Sequence, residues 1–434
     1  MDEHSESSDA EDLNTASPEG RFGELLDIPS DSIVIVAINT RREFTTNTFT
    51  SAALVKRIEG ARSLIHIVEF DDKLRYVVRL PFSGGHDRYT DIAKGAFVAK
   101  VKMMQVIKKR THFPMPEIYD FDASFENEIE APYVVESFIP GNPISDVWFE
   151  ESGLMPLEEK RLRILDSVAD TMAQLRGHQF DLIGAIEANN RGHQMTNPCH
   201  SFKISDSDMW YEESGPYSAT VTYMLSRMLD PPSKTPRKKE APPEAGCRMF
   251  LEMMVLCLPL STDWESDDRE SFVLSVPHFD ASNILIDDQL HVTGFIDWDE
   301  VKTMPRFLGF ASFPNWITRD LDPVVYNYPE DEHEDSPELL TRYRLLYNRK
   351  MKSLLHGEPE VRFMNKSHIF GAIYNAIMNP TARMEIVRTL VAKAFPTSLD
   401  GATRLIIKAG DGTLLRQDKE RLNGGFEALL SVQY

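Results

Sequence analysis

The sequence predicts an α+β protein in two lobes, a small antiparallel-sheet N-lobe followed by a large helical C-lobe. Three observations carry this. Ser63–Phe70 and Lys73–Leu80 are runs rich in β-branched and aromatic residues around the polar turn Asp71-Asp72, the pattern of a β-hairpin. The last third, roughly residues 337–395, has the three-to-four spacing of apolar residues that marks helices. Between them, Asn283–Ile286 and His291–Ile296 flank the turn Asp287-Asp288, a short hairpin set in helical territory.

The other elements follow in order. Residues 1–20 carry seven acids and no Lys or Arg, and read as a disordered acidic tail. Residues 21–136 make the N-lobe, a sheet with a helix. The helix spans about Thr90–Arg110, with Ile92, Ala96, Ala99, Met103 and Ile107 along one side, and Pro114 and Pro116 stop it. Tyr133–Ile139 reads as another strand, ended by Pro140-Gly141. Residues 137–434 make the helical C-lobe. There Leu157–His178 aligns Leu165, Val168, Met172 and Leu175, and the proline-rich stretch at about 230–246 reads as a flexible insertion.

Composition narrows the function. Of 434 residues 42% are apolar, enough for a substantial core. The net charge of −21 excludes a nucleic-acid binder of the usual cationic kind. Most of that charge lies in the tail and in two acidic stretches, 263–270 and 330–338, which read as solvated loops. Three cysteines without a CxxC spacing suggest reduced thiols, no apolar run is long enough to span a membrane, and the N-terminus is acidic where a leader would be basic. A soluble cytoplasmic protein with no membrane partner is expected. No HExxH or GxSxG pattern occurs.

Residues 272–316 hold the chemistry. The loop ending in Asn283 and the hairpin ending in Asp297 bring an amide and a carboxylate to adjacent loop ends, the hard oxygen donors that a nucleotide-bound Mg²⁺ prefers. Taken alone, such a pair more often merely closes two turns. With Tyr76-Val-Val-Arg-Leu-Pro81, the run Arg110–Tyr119, Pro140-Gly-Asn-Pro-Ile-Ser-Asp-Val-Trp148 and Gln179-Phe-Asp-Leu-Ile-Gly184, the chain resembles the aminoglycoside phosphotransferase-like family over about residues 60–320, most closely its fungal-type branch.

That resemblance implies a protein-kinase-like fold and an ATP- and Mg²⁺-dependent transfer of phosphate to a small-molecule hydroxyl. It implies Arg79 as the strand cation on the phosphates, Asn283 and Asp297 as metal ligands, and Glu136–Phe138 as the hinge that meets the adenine. It also places the acceptor pocket among C-lobe loops, including 185–220, and the 337–395 helices.

The family's catalytic loop runs His-x-Asp-x-x-x-x-Asn. Counting back from Asn283, the base position is His278 and the position two earlier is Val276. The helix position that pairs Glu with the strand cation falls on Lys100. His278, or Asp280 two residues on, is then the substitute base, or the loop is degenerate and the protein is a pseudokinase. Lys100 either joins Arg79 on the phosphates or points to solvent. With these changes the site is expected to be more positive than the family's. Gly60-Ala-Arg-Ser63 stands where the phosphate-covering loop belongs, and reads equally well as an ordinary turn.

Overall fold

In the computed structural model, β1 (Ala52–Glu59), β2 (Ser63–Phe70), β3 (Arg75–Pro81), β4 (Ile118–Asp122) and β5 (Tyr133–Ser137) form an antiparallel sheet in the order β1-β2-β3-β5-β4. Strand alternation gives the sheet two faces. Leu64, Val68 and Phe70 of β2 join Tyr76, Val78 and Leu80 of β3 in one core, covered by Ile33, Val36 and Ala37 of helix α1 (Ser30–Phe44). On the other face Val134 packs against Phe97 and Val101 of α2 (Asp91–Arg110). The buried side of α2 runs through Ala93, Phe97, Lys100, Met104 and Ile107, so Ile92, expected on it, is exposed.

The structure describes residues 18–44, 48–188, 194–205, 208–228, 240–262 and 269–432. The chain divides into two compact units. The first runs to Ile164 and takes in Gly184–Pro216 and Val276–Lys302; the second comprises Leu165–Ile183, Tyr217–Ser275 and Thr303–Tyr434. The sheet-bearing unit therefore extends past the expected boundary at 136/137. It also contains β6 (Ala185–Ala188) paired with β7 (Gln194–Asn197), and β8 (Cys199–Ser205) paired with β9 (Asp208–Ser214). These hairpins pack against α2, in place of the C-lobe loops expected over 185–220. The expected catalytic-type hairpin is β10 (Ile284–Ile286) paired with β11 (Val292–Phe295).

The second unit is mainly helical: α3 (Thr220–Met228), α4 (Pro242–Leu256), α5 (Pro337–Leu354), α6 (Ser367–Met378), α7 (Pro380–Ala394), α8 (Leu399–Gly410) and α9 (Arg416–Leu430). The α+β class read from the sequence is thus present, with sheet and helices largely segregated. The expected stripe of Leu165, Val168, Met172 and Leu175 is buried. Two expectations change here. The 230–246 insertion lies outside the described residues up to 239, but from Pro242 onward it is α4, held to α8 so closely that a Cβ on Gly246 would meet the Ile406 carbonyl. The 330–338 stretch is not simply solvated, because Glu334 is buried and pairs with Arg319. Residues 1–17 and 263–268 lie outside the described residues. Among those described, no helix is long and apolar enough to cross a membrane.

Candidate functional site

Arg79 and Glu136 come from neighbouring strands. Arg79 faces Val134 and Val77 faces Glu136 in the β3–β5 register, so the two long side chains meet diagonally on the α2 side of the sheet. Arg79 Nε lies 3.5 Å from Glu136 Oε2, and its Nη2 donates to the Ile296 carbonyl at 3.1 Å. The predicted hinge residue Glu136 is therefore the strand cation's carboxylate partner, only 3% exposed. Phe138, the other hinge residue, lies under the Arg75 guanidinium.

Lys100 projects from the buried face of α2. Its ammonium donates to Asp299 Oδ1 at 2.7 Å, and both side chains are almost wholly buried. This removes the solvent-facing alternative. It also corrects the expectation of two unneutralised cations, since Arg79 and Lys100 each have their own carboxylate. Burial pushes the Asp299 carboxyl up, but Lys100, then Arg79 and Arg62, outweigh it and hold the group below the usual carboxylate range.

The hairpin ends meet as expected. The Ile296 N–H donates to the Asn283 carbonyl at 3.1 Å, which joins the residue before Asp297 to Asn283. Asn283 Nδ2 donates to the His278 carbonyl at 3.1 Å, which directs its amide oxygen away from that loop. Asp297 Oδ1 accepts from the Asp299 N–H at 3.2 Å, leaving its second oxygen for another partner. The pair fits the donor chemistry of a hard divalent cation. Among the described residues no cluster of three or more His, Cys, Asp or Glu is placed to hold a metal by itself, so such an ion needs ligands from a bound phosphate.

His278 and Asp280 sit in the loop before Asn283. The Asp280 N–H donates to the His278 carbonyl at 2.6 Å, and the Asp280 carbonyl accepts from the Asn283 N–H. His278 has φ +44°, left-handed backbone that His tolerates better than most residues. Arg62 Nη1 donates to its ring Nε2. A guanidinium has no acceptor, so Nε2 supplies the lone pair and is unprotonated in this contact. Arg62 also pairs with Glu300 Oε2 at 3.3 Å and lies over the Phe202 ring, 4.9 Å from its centroid. Phe202 N–H in turn donates to Glu300 Oε1 at 2.9 Å. Burial pushes the Glu300 carboxyl up, and Arg62, then Lys302, with the Phe202 N–H, bring it below its ordinary value.

Four cations (Arg62, Arg79, Lys100, Lys302) thus interact with four carboxylates (Glu136, Asp297, Asp299, Glu300). Among these eight side chains the charges balance. Sequence reasoning missed Asp299, Glu300, Phe202 and Tyr211, whose phenol burial pushes well up. One signal was available: Asp297-Trp-Asp-Glu300 places three acids directly after an apolar strand.

No family model matches the chain, and no curated protein matches it in sequence. Among solved structures it is similar to a thermostable mutant of the aminoglycoside phosphotransferase APH(4)-Ia, with TM-score 0.41 and 13% identity over 89% of this chain and 100% of that one. It is similar to macrolide 2'-phosphotransferase MphH from Brachybacterium faecium, with TM-score 0.41 and 11% identity over 88% of this chain and 97% of that one. It is also similar to the amicoumacin kinase hAmiN in complex with AMP-PNP, Ca2+ and Ami, with TM-score 0.41 and 10% identity over 87% and 94% of the two chains.

Proposed function

We propose that this chain is a kinase-type nucleotide-binding module that has lost phosphoryl transfer, a pseudokinase form of the aminoglycoside phosphotransferase-like fold. One observation carries the reading. The imidazole at the position of the general base spends its Nε2 lone pair on the Arg62 guanidinium, a permanently charged donor that cannot give up its proton. Loss of a general base costs about 10²–10⁴ in rate.

The nucleotide part of the reading rests on the oxygen pair Asn283 and Asp297, which would hold Mg²⁺, with ATP supplying further phosphate oxygens. Arg79 would face the inner phosphates, and the backbone at Glu136–Phe138 the base. Cys199, Cys247 and Cys257 are thiols and not disulfides, as a reducing, cytoplasmic setting would keep them. A second reading keeps Asp280 as a working base toward a small-molecule hydroxyl. It is favoured by the half-buried position of Asp280 two residues from His278.

Thermal shift with ATP, with and without Mg²⁺, tests binding, and a Mg²⁺-dependent rise is expected. Turnover over a panel of hydroxyl compounds tests chemistry, and none is expected of the natural chain. Steady turnover abolished by Asp280→Asn would establish the second reading instead. His278→Asp alone would only give Arg62 a carboxylate to bind, so any restored turnover is expected from His278→Asp combined with Arg62→Ala.

A further inference from the structure

We infer that Arg62 fills the terminal-phosphate subsite of this proposed nucleotide site, so that it takes a nucleoside mono- or diphosphate in preference to a triphosphate. The inference rests on the nucleotide reading above and adds which nucleotide. Arg62 stands in the turn before β2, closed by the Gly60 N–H on the Ser63 carbonyl at 3.0 Å. Its guanidinium reaches from that turn to His278, 216 residues on, in direct hydrogen bond. Phosphoryl transfer needs a terminal phosphate and an acceptor hydroxyl between the covering loop and the base position. Here a side chain of the loop occupies that gap.

The plug is built in. Glu300 gives Arg62 a half-buried counter-charge at 3.3 Å, and a terminal phosphate entering there would displace the guanidinium and lie beside a carboxylate. The Phe202 ring closes the opposite face, and its N–H fixes the other Glu300 oxygen. Tyr211 and Phe82 pack on Phe202, tying the plug to the β8–β9 hairpin. Two polar partners of Arg62, His278 at φ +44° and Glu300 at φ +60°, hold left-handed backbone that non-glycine residues seldom adopt. None of the contacts described for Arg79, Asn283 and Asp297 is with Arg62, so the inference leaves the inner phosphates to those three residues.

Calorimetric titration of the full chain with AMP, ADP and ATP, each with Mg²⁺, tests this. The natural chain is expected to bind AMP and ADP about tenfold or more tighter than ATP, the scale of one charge-assisted hydrogen bond. Arg62→Ala is expected to raise ATP affinity by about that factor and leave AMP unchanged. Phe202→Ala, which loosens the guanidinium without removing it, is expected to move ATP in the same direction and serves if Arg62→Ala does not fold. A natural chain that prefers ATP, or an ATP affinity that falls in Arg62→Ala, overturns the inference alone and makes Arg62 a phosphate ligand. Failure of AMP, ADP and ATP to bind any of these proteins overturns the nucleotide reading with it.

Discussion

Replacing Lys100 with Met leaves Asp299 as a carboxylate in a site from which water is nearly excluded. The pair is close, 2.7 Å, and both side chains are under a tenth exposed. Removing one partner of such a pair costs about 3–5 kcal/mol. Arg79 and Arg62 also act on Asp299 and compensate in part, so the lower end, about 3 kcal/mol, is expected. The acid side gives an independent figure. Asp299 is held below its unfolded value of 3.8, at about 2. Its contribution is therefore fully present above about pH 4 and is lost as pH falls toward 2, an effect of about 2 kcal/mol. Lys100→Met should flatten that part of the acid-stability curve. Asp299→Leu alone is expected to destabilise comparably, whereas the double replacement should return to within about 1 kcal/mol of the natural chain, because two apolar side chains carry no desolvation cost. Urea unfolding followed by tryptophan fluorescence reads this directly, since buried Trp298 lies beside Asp299. A Lys100→Met change below about 0.5 kcal/mol would refute the reasoning, because it would mean the ammonium is solvated.

Gly95 lies inside α2, where Ala is ordinarily better by about 1 kcal/mol. A Cβ there would meet His200 Nε2 at 3.0 Å, so Gly95→Ala is expected to lower the melting temperature and, in a His200→Ala background, to raise it. In the second unit the buried pair Arg306–Glu360, to which Ser271 and Gln179 add hydrogen bonds, predicts a loss of about 3–5 kcal/mol for Arg306→Met in chemical denaturation.

Much of the first unit was legible locally. The β2–β3 pair follows from its β-branched and aromatic runs about Asp71-Asp72, α2 from its apolar spacing, and the β10–β11 hairpin from two short apolar runs about Asp287-Asp288. Residues 30–59 were not read, and they form α1 and the edge strand β1. The β1 pattern is almost entirely exposed and alternates weakly, so it carried little signal. The β8–β9 hairpin was placed among C-lobe loops. Its anchors, Phe202 and Tyr211, pack against Phe82 more than a hundred residues earlier, and local periodicity does not identify that partner.

From the sequence alone came the α+β class, the order of the loops, and the Asn283 and Asp297 oxygens. Those follow from short-range pattern and from identity at counted positions. Only the tertiary structure decided what the charges do. Lys100 finds Asp299 across 199 residues, Arg62 finds His278 across 216, and Glu136 turns toward Arg79 through strand register. A buried cation must be paired, but which carboxylate pairs it depends on segments brought together by folding, and no local spacing records that choice.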